Sequence, residues 1–167
     1  VISTGSELVE PGLPVPLEQI TDSNSFTLTA SAREAGAVAF RVAPVPDDET
    51  TLLGLIEDQL VRADVIVTSG GVSAGAYDVV KAVLSELGTV TFDRVAMQPG
   101  MPQGFGTIGD DATPIFTLPG NPVSAFVSFE VFVRPAIRKM LGVSRLHRPS
   151  VKAILQSTLR SPEGKRQ

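Results

Sequence analysis

Apolar and polar positions fall into alternating blocks along the chain. Val1-Ile2-Ser3 reads as the end of a strand running into a loop. The polar cluster Thr21-Asp22-Ser23-Asn24 precedes a stretch ending at Ala35, and Gly36 follows it. Capping residues in front and glycine behind predict a helix. Ala37 to Val45 is apolar and β-branched and predicts a strand. Pro46-Asp47-Asp48-Glu49 opens a second helix, whose Leu52, Leu53, Ile56 and Leu60 recur at helical spacing. Asp64-Val65-Ile66-Val67-Thr68 is apolar almost throughout, as a strand covered on both faces requires. It runs into the glycine-rich loop Ser69-Gly70-Gly71-Val72-Ser73-Ala74-Gly75. Asp78 is expected to cap the next helix, which carries Val79, Val80, Val83, Leu84 and Leu87 and stops at Gly88. Val90 to Ala96 predicts a strand, and Gln98-Pro99-Gly100-Met101-Pro102 a rigid turn. Phe105 to Ile108 and Ile115 to Leu118 predict a hairpin around Gly109-Asp110-Asp111. Asn121 as a cap and Pro122 at the first helical position open a long apolar helix reaching Leu141. Pro135 should kink or divide it.

This β-α alternation predicts an α/β fold: a three-layer, mostly parallel open sheet with helices on both faces. The texture changes after Gly142. Residues 143–149 read as a linker, and Ser150 to Leu159 predicts a strand. The expected organisation is therefore an α/β domain over 1–142, its first strand cut short, and a linker with the truncated start of a β-rich domain over 143–167. The chain is expected to be a piece of a longer one.

Composition narrows the chemistry. Hydrophobic residues make up 43% of the 167 positions, enough for a core. The net charge of −4 gives no nucleic-acid footprint. With no cysteine, disulfides, thiolate metal sites and a cysteine nucleophile are excluded. The single histidine, His147, excludes a histidine-rich metal site. Any metal must be a hard cation held by oxygen. No apolar run reaches membrane-spanning length and no basic-then-apolar leader opens the sequence, so a cytoplasmic location is expected.

Ligands of open α/β sheets bind beyond the carboxyl ends of the strands. Five segments should meet there: Thr4-Gly5-Ser6-Glu7, Pro46-Asp47-Asp48, Ser69 to Asp78, Gln98 to Pro102, and Pro119-Gly120-Asn121-Pro122. Three of them begin helices, whose free N–H groups attract anions. Gly70-Gly71 lets backbone approach a ligand, and Ser69 and Ser73 add hydroxyls. Glu7, Asp47, Asp48 and Asp78 bring carboxylates to the same edge. Anion-accepting loops beside carboxylates suggest a phosphorylated ligand with bridging Mg²⁺. Each residue also has a plainer role. Asp47, Asp48 and Asp78 can be helix caps, Glu7 and Lys81 solvated charges, the double glycine a tight turn, and Thr21 to Asn24 capping alone.

In order, Thr4-Gly5-Ser6-Glu7-Leu8, Asp22-Ser23-Asn24, Ser69-Gly70-Gly71-Val72-Ser73 with Asp78, Pro99-Gly100-Met101-Pro102 and Leu118-Pro119-Gly120-Asn121-Pro122-Val123-Ser124 closely resemble the molybdopterin molybdotransferase family, which includes the gephyrin E domain. The resemblance covers residues 1 to about 142. It implies insertion of molybdate into adenylylated molybdopterin, giving molybdenum cofactor and AMP with Mg²⁺. It also implies a homodimer whose cleft needs a second domain of the partner subunit, so that this stretch binds without completing the reaction. A molybdopterin adenylyltransferase would act upstream. By the same resemblance Asp47, Asp78, Glu7 and Lys81 are catalytic, with Asp47 and Asp78 as Mg²⁺ ligands. Thr4, Gly5, Ser69, Gly70, Gly71, Ser73, Pro119, Gly120, Asn121 and Pro122 bind or shape the substrate site. Two departures stand out. Ser6 replaces an aspartate found in many relatives, and Gln98 and Met101 replace two lysines at a turn expected to face an oxyanion. Two alternatives stay open, the adenylyltransferase itself and a non-catalytic gephyrin-like scaffold.

Overall fold

The computed structural model describes residues 1–71 and 77–167, with the side chains of Tyr77 and Asp78 outside the described set. Its centre is a five-stranded sheet. The strands are β1 (Ile2–Ser3), β4 (Ile66–Ser69), β7 (Thr113–Leu118), β6 (Pro102–Ile108) and β5 (Gly88–Arg94), in that spatial order. Strands β1, β4 and β7 are parallel; β6 runs against both β7 and β5, so only β6 is reversed. The predicted α/β class holds.

Strand alternation sorts side chains into two cores. On β4 and β7, Ile66 and Ile115 face one side, and Val67, Phe116 and Leu118 the other. The first side is covered by α2 (Glu49–Leu60) through Leu52 and Ile56, and by α3 (Tyr77–Leu87) through Val80, Val83 and Leu84. The second is covered by α1 (Asn24–Ala35) through Leu28 and Ala32, and by the helical run after β7 through Ala125, Phe129, Val133 and Ile137. That run is not one helix. It is α4 (Pro122–Ser128), a π turn (Phe129–Val133) and α5 (Arg134–Met140). Pro135 lacks an N–H, and its ring would crowd the carbonyl four residues back. The Arg134 N–H instead reaches Phe129 O across the wide turn. The expected division occurs just before the proline.

Other expectations need correction. Ala37 to Pro44 is not a regular strand. This stretch and Val45 meet the first strand and its flanks at scattered points. The Val42 N–H donates to Val1 O and the Val45 N–H to Ser3 O, both at 3.0 Å, and the Val1 amine donates to Phe40 O at 2.8 Å. Val45 makes one isolated bridge to Thr4. Gly88 does not stop α3 with a loop; β5 begins at that residue. Asp78 lies inside the first turn of α3, because the helix starts at Tyr77. Ser150 to Leu159 forms no strand. Val151 and Ile154 are 90% and 95% exposed, so this segment has β propensity without a partner. A short parallel ribbon, β2 (Leu8–Val9) with β3 (Ile20–Thr21), is absent from the sequence-based expectation. Among the described residues no helix is long and apolar enough to cross a membrane.

Candidate functional site

The carboxyl ends of β1, β4 and β7 open onto one rim. The Thr4 N–H donates to Ser69 O at 2.9 Å, and the Gly70 N–H donates to Leu118 O at 3.1 Å. Three outgoing loops are thereby stitched side by side. Gly5 N–H donates to Val45 O at 3.0 Å, which brings the approach to α2 alongside. The fifth segment arrives too: β6 pairs Gly104 with Thr117, so Gln98 to Pro102 lies beyond that pair on the same edge.

Glycine is needed where these loops meet. Gly70 has φ +97°, a region open to glycine, and a Cβ there would overlap the Thr4 carbonyl oxygen. Gly71 has φ +66°, and a Cβ would overlap Val80. A Cβ on Gly120 would stand 3.5 Å from the Gly70 Cα. The double-glycine bend is thus packed between Thr4 and Gly120. The hydroxyls of Ser3 and Ser69 lie 3.2 Å apart beneath it.

Asp47 belongs to the rim. The Ser6 N–H donates to Asp47 Oδ2 at 3.3 Å, and the Asp47 N–H donates to Ser6 Oγ at 3.1 Å. Its other oxygen, Oδ1, is buried and has no hydrogen-bond partner among the described residues. A buried, unsatisfied carboxylate oxygen is costly unless a cation or donor completes it. This orphaned oxygen fits a Mg²⁺ ligand set completed by substrate oxygens and water. Among the described residues no three acidic or histidine side chains cluster as a protein-only metal cage. Glu7 is exposed, and its carboxylate lies over Gly5, within 2.7 Å of where a Cβ would stand.

Asp48 has the plainer role. Its carboxylate accepts from the Thr51 N–H at 2.8 Å and caps α2. The Thr51 hydroxyl and amide hold its pKa below the ordinary aspartate value. Asn121 caps α4 by accepting from the Ser124 N–H at 3.1 Å, with Pro122 at the first helical position. Pro119 is buried, Pro122 and Gly120 are exposed, and Lys81 is on the exposed side of α3. Ser73 and the Asp78 side chain lie outside the described residues.

One positioning residue escapes the sequence reading. Sequence places Asn24 in a capping cluster. In the structure its Nδ2 donates to Gly120 O at 2.7 Å and ties α1 to the loop before α4. Asp22 does the capping, accepting from the Ser25 N–H at 3.1 Å and from its hydroxyl. The available signal is an excess of polar groups, more than one helix start needs.

Residues 1–139 match the family described as "Probable molybdopterin binding domain". The chain is 51% identical over 173 aligned positions to "Molybdopterin molybdenumtransferase 2" of Mycobacterium tuberculosis, covering 100% of this chain and 42% of that protein. It is 37% identical to "Molybdopterin molybdenumtransferase" of Nostoc, covering 100% of this chain and 39% of that protein. Among solved structures, a molybdopterin biosynthesis moeA protein from Pyrococcus horikoshii superposes with a TM-score of 0.76 at 28% identity, covering 98% of this chain and 38% of that one. The chain spans about two fifths of the length of these relatives.

Proposed function

The chain belongs to the molybdopterin-binding-domain family of molybdenum cofactor biosynthesis, and on that premise we propose that it is the pterin-nucleotide-binding part of a molybdenum-inserting transferase. The reaction is molybdate plus adenylylated molybdopterin giving molybdenum cofactor and AMP. One observation carries this reading: the unsatisfied Asp47 Oδ1 is on the rim where the Gly70-Gly71 bend and the Asn121-capped helix converge. The Asn121-capped helix end favours anionic groups of the ligand without net charge of its own. Ser6 and Asn24 fix the loops that carry Asp47 and this helix end.

Asp47, with Asp78, would hold Mg²⁺. The bound ion would polarise the phosphoanhydride and assist departure of AMP. The chain offers no cysteine for covalent catalysis, and the sulfurs that receive molybdenum belong to the substrate. The working unit is a homodimer in the cytoplasm, and residues 143–167 lead into a further domain that completes the cleft. Glu7 and Lys81 act at the margin of the site, on substrate groups that extend past the rim.

The test is calorimetric titration of the 167-residue chain with adenylylated molybdopterin in Mg²⁺. Asp47→Asn should weaken binding at least tenfold without lowering the melting temperature. In the full-length protein the same variant should lose molybdate-dependent AMP release. Unchanged affinity and turnover would refute the assignment.

A further inference from the structure

Four charged side chains meet where the linker after α5 crosses α1 and the π turn. Arg148, in the linker, divides its guanidinium between two carboxylates. Its Nε and Nη2 donate to Glu130 Oε2 at 2.6 Å and Oε1 at 2.9 Å. Its Nη1 and Nη2 donate to Glu34 Oε1 at 3.0 Å and Oε2 at 3.2 Å. Arg134 follows Glu130 by four residues and is only 9% exposed. Its Nε and Nη1 are buried and have no hydrogen-bond partner among the described residues. That Nε stands 3.9 Å from Glu130 Oε2, the same oxygen that Arg148 Nε holds at 2.6 Å. Two guanidinium groups therefore face one carboxylate oxygen, one bonded to it and the other about 1 Å beyond bonding distance. The segment that Arg148 begins is fastened again beside the rim. There the Arg166 N–H donates to Ala96 O and the Gln98 N–H to Arg166 O, both at 2.9 Å. Between these two points residues 150–159 are exposed and form no regular element.

We propose that Glu130 is an exchange latch for the strap 148–166: paired with Arg148 it holds the near end of the strap, and paired with Arg134 it lets that end go. In the fastened state the buried donors of Arg134 go unsatisfied, and a buried charged donor without a partner is costly. On release, Arg148 enters water with little loss, because its side chain is already 47% exposed. The Glu130 carboxylate then turns the short distance to Arg134 and ends the penalty there. Each state satisfies one arginine and leaves the other without its carboxylate. The two states therefore lie closer in free energy than a clamp of four hydrogen bonds suggests, and a modest pull on the strap is enough to move the latch. The latch thereby sets the slack in a segment bonded to the rim turn. The exchange is independent of the ligand assigned to the rim.

Trypsin cleavage after Arg145 reads the released population, provided that opening is fast relative to cleavage. In the 167-residue chain, Arg134→Met should slow that cleavage at least threefold, because a released Glu130 then has no second arginine to receive it. A simple ion pair, with Arg134 as a bystander, would give no change or faster cleavage. The second measurement follows the Arg134 Nε–H resonance by nuclear magnetic resonance. Arg148→Ala should move it downfield, as the bond to Glu130 forms, and adding Glu130→Ala should cancel the shift. Arg148 is a surface position, so this readout decides the matter even if Arg134→Met melts early. Two results overturn the proposal. One is a stably folded Arg134→Met chain cleaved at or above the wild-type rate; the other is an Arg134 Nε–H resonance that Arg148→Ala leaves in place.

Discussion

Replacing Gly70 with alanine tests whether the rim is built by close approach of two backbones. Gly70 and Gly12 have nearly the same φ, +97° and +93°. A Cβ on Gly12 meets nothing within 4 Å, whereas one on Gly70 overlaps Thr4 O and comes 2.9 Å from Thr4 Oγ1. The conformational cost of an L-residue at positive φ, about 1 kcal/mol, is common to both. Gly70→Ala adds overpacking of about 2 kcal/mol. It also weakens a backbone hydrogen bond such as Thr4 N–H to Ser69 O, worth about 1 kcal/mol. The totals are about 4 kcal/mol at Gly70 and about 1 kcal/mol at Gly12. For a domain of this size about 3 °C accompanies each kcal/mol, so the expected drops in melting temperature are about 12 °C and about 3 °C. Thermal unfolding followed by circular dichroism measures both. If Gly70→Ala melts within a few degrees of Gly12→Ala, the bend is not wedged between Thr4 and Gly120, and the converging rim loses its main support.

Two further outcomes follow from the charged groups. The Thr51 hydroxyl and amide depress the Asp48 pKa, so Asp48 contributes stability above its unfolded value that is lost as pH falls through the folded one. The melting temperature of Asp48→Ala should therefore lie below wild type at pH 6, with the gap closing toward pH 3; a constant gap would contradict the cap. Arg148 bridges Glu34 on α1 and Glu130 in the π turn, at 3.0 and 2.6 Å, and these contacts raise its pKa and lower that of Glu34. Arg148→Ala should speed cleavage at Arg145 by trypsin severalfold, and salt should speed the wild type in the same direction. Identical cleavage rates would show that the bridge does not anchor the linker.

Long segments with one dominant signal are legible in the sequence. Helix α1 ends at Gly36 because a left-handed residue with φ +110° closes it, and α2 starts at Asp48 because its side chain satisfies a free amide. The described parts of the five segments expected at one sheet edge meet there: strand direction decides this for the loops beside β1, β4, β7 and β6, and the Gly5 N–H bond to Val45 O brings in the approach to Pro46. Segments whose structure depends on a partner are not legible. Ala37 to Pro44 has strand composition, but it meets the first strand's segment through isolated bonds instead of a ladder. Ser150 to Leu159 has the same composition and finds no neighbouring strand. Ribbon β2–β3 has two residues per strand, too short for alternation to register. Within the site, charge alone singles out Asp47, but only coordinates separate its orphaned oxygen from the capping oxygen of Asp48.

The π turn before Pro135 also sets the length of its segment. Ala125, Phe129, Val133 and Ile137 are spaced by four and all buried. In an uninterrupted α-helix each step of four overshoots a full turn by about 40°, so the last would swing about 120° away from the first. The wider coil absorbs part of that rotation and keeps a single seam against Val67, Phe116 and Leu118. It behaves as one surplus residue stored in the coil. Shortening the stretch 130–132 by one position would tighten the coil, turn Ile137 toward water and return Pro135 to a register it cannot occupy. The number of residues here is fixed as firmly as their identity.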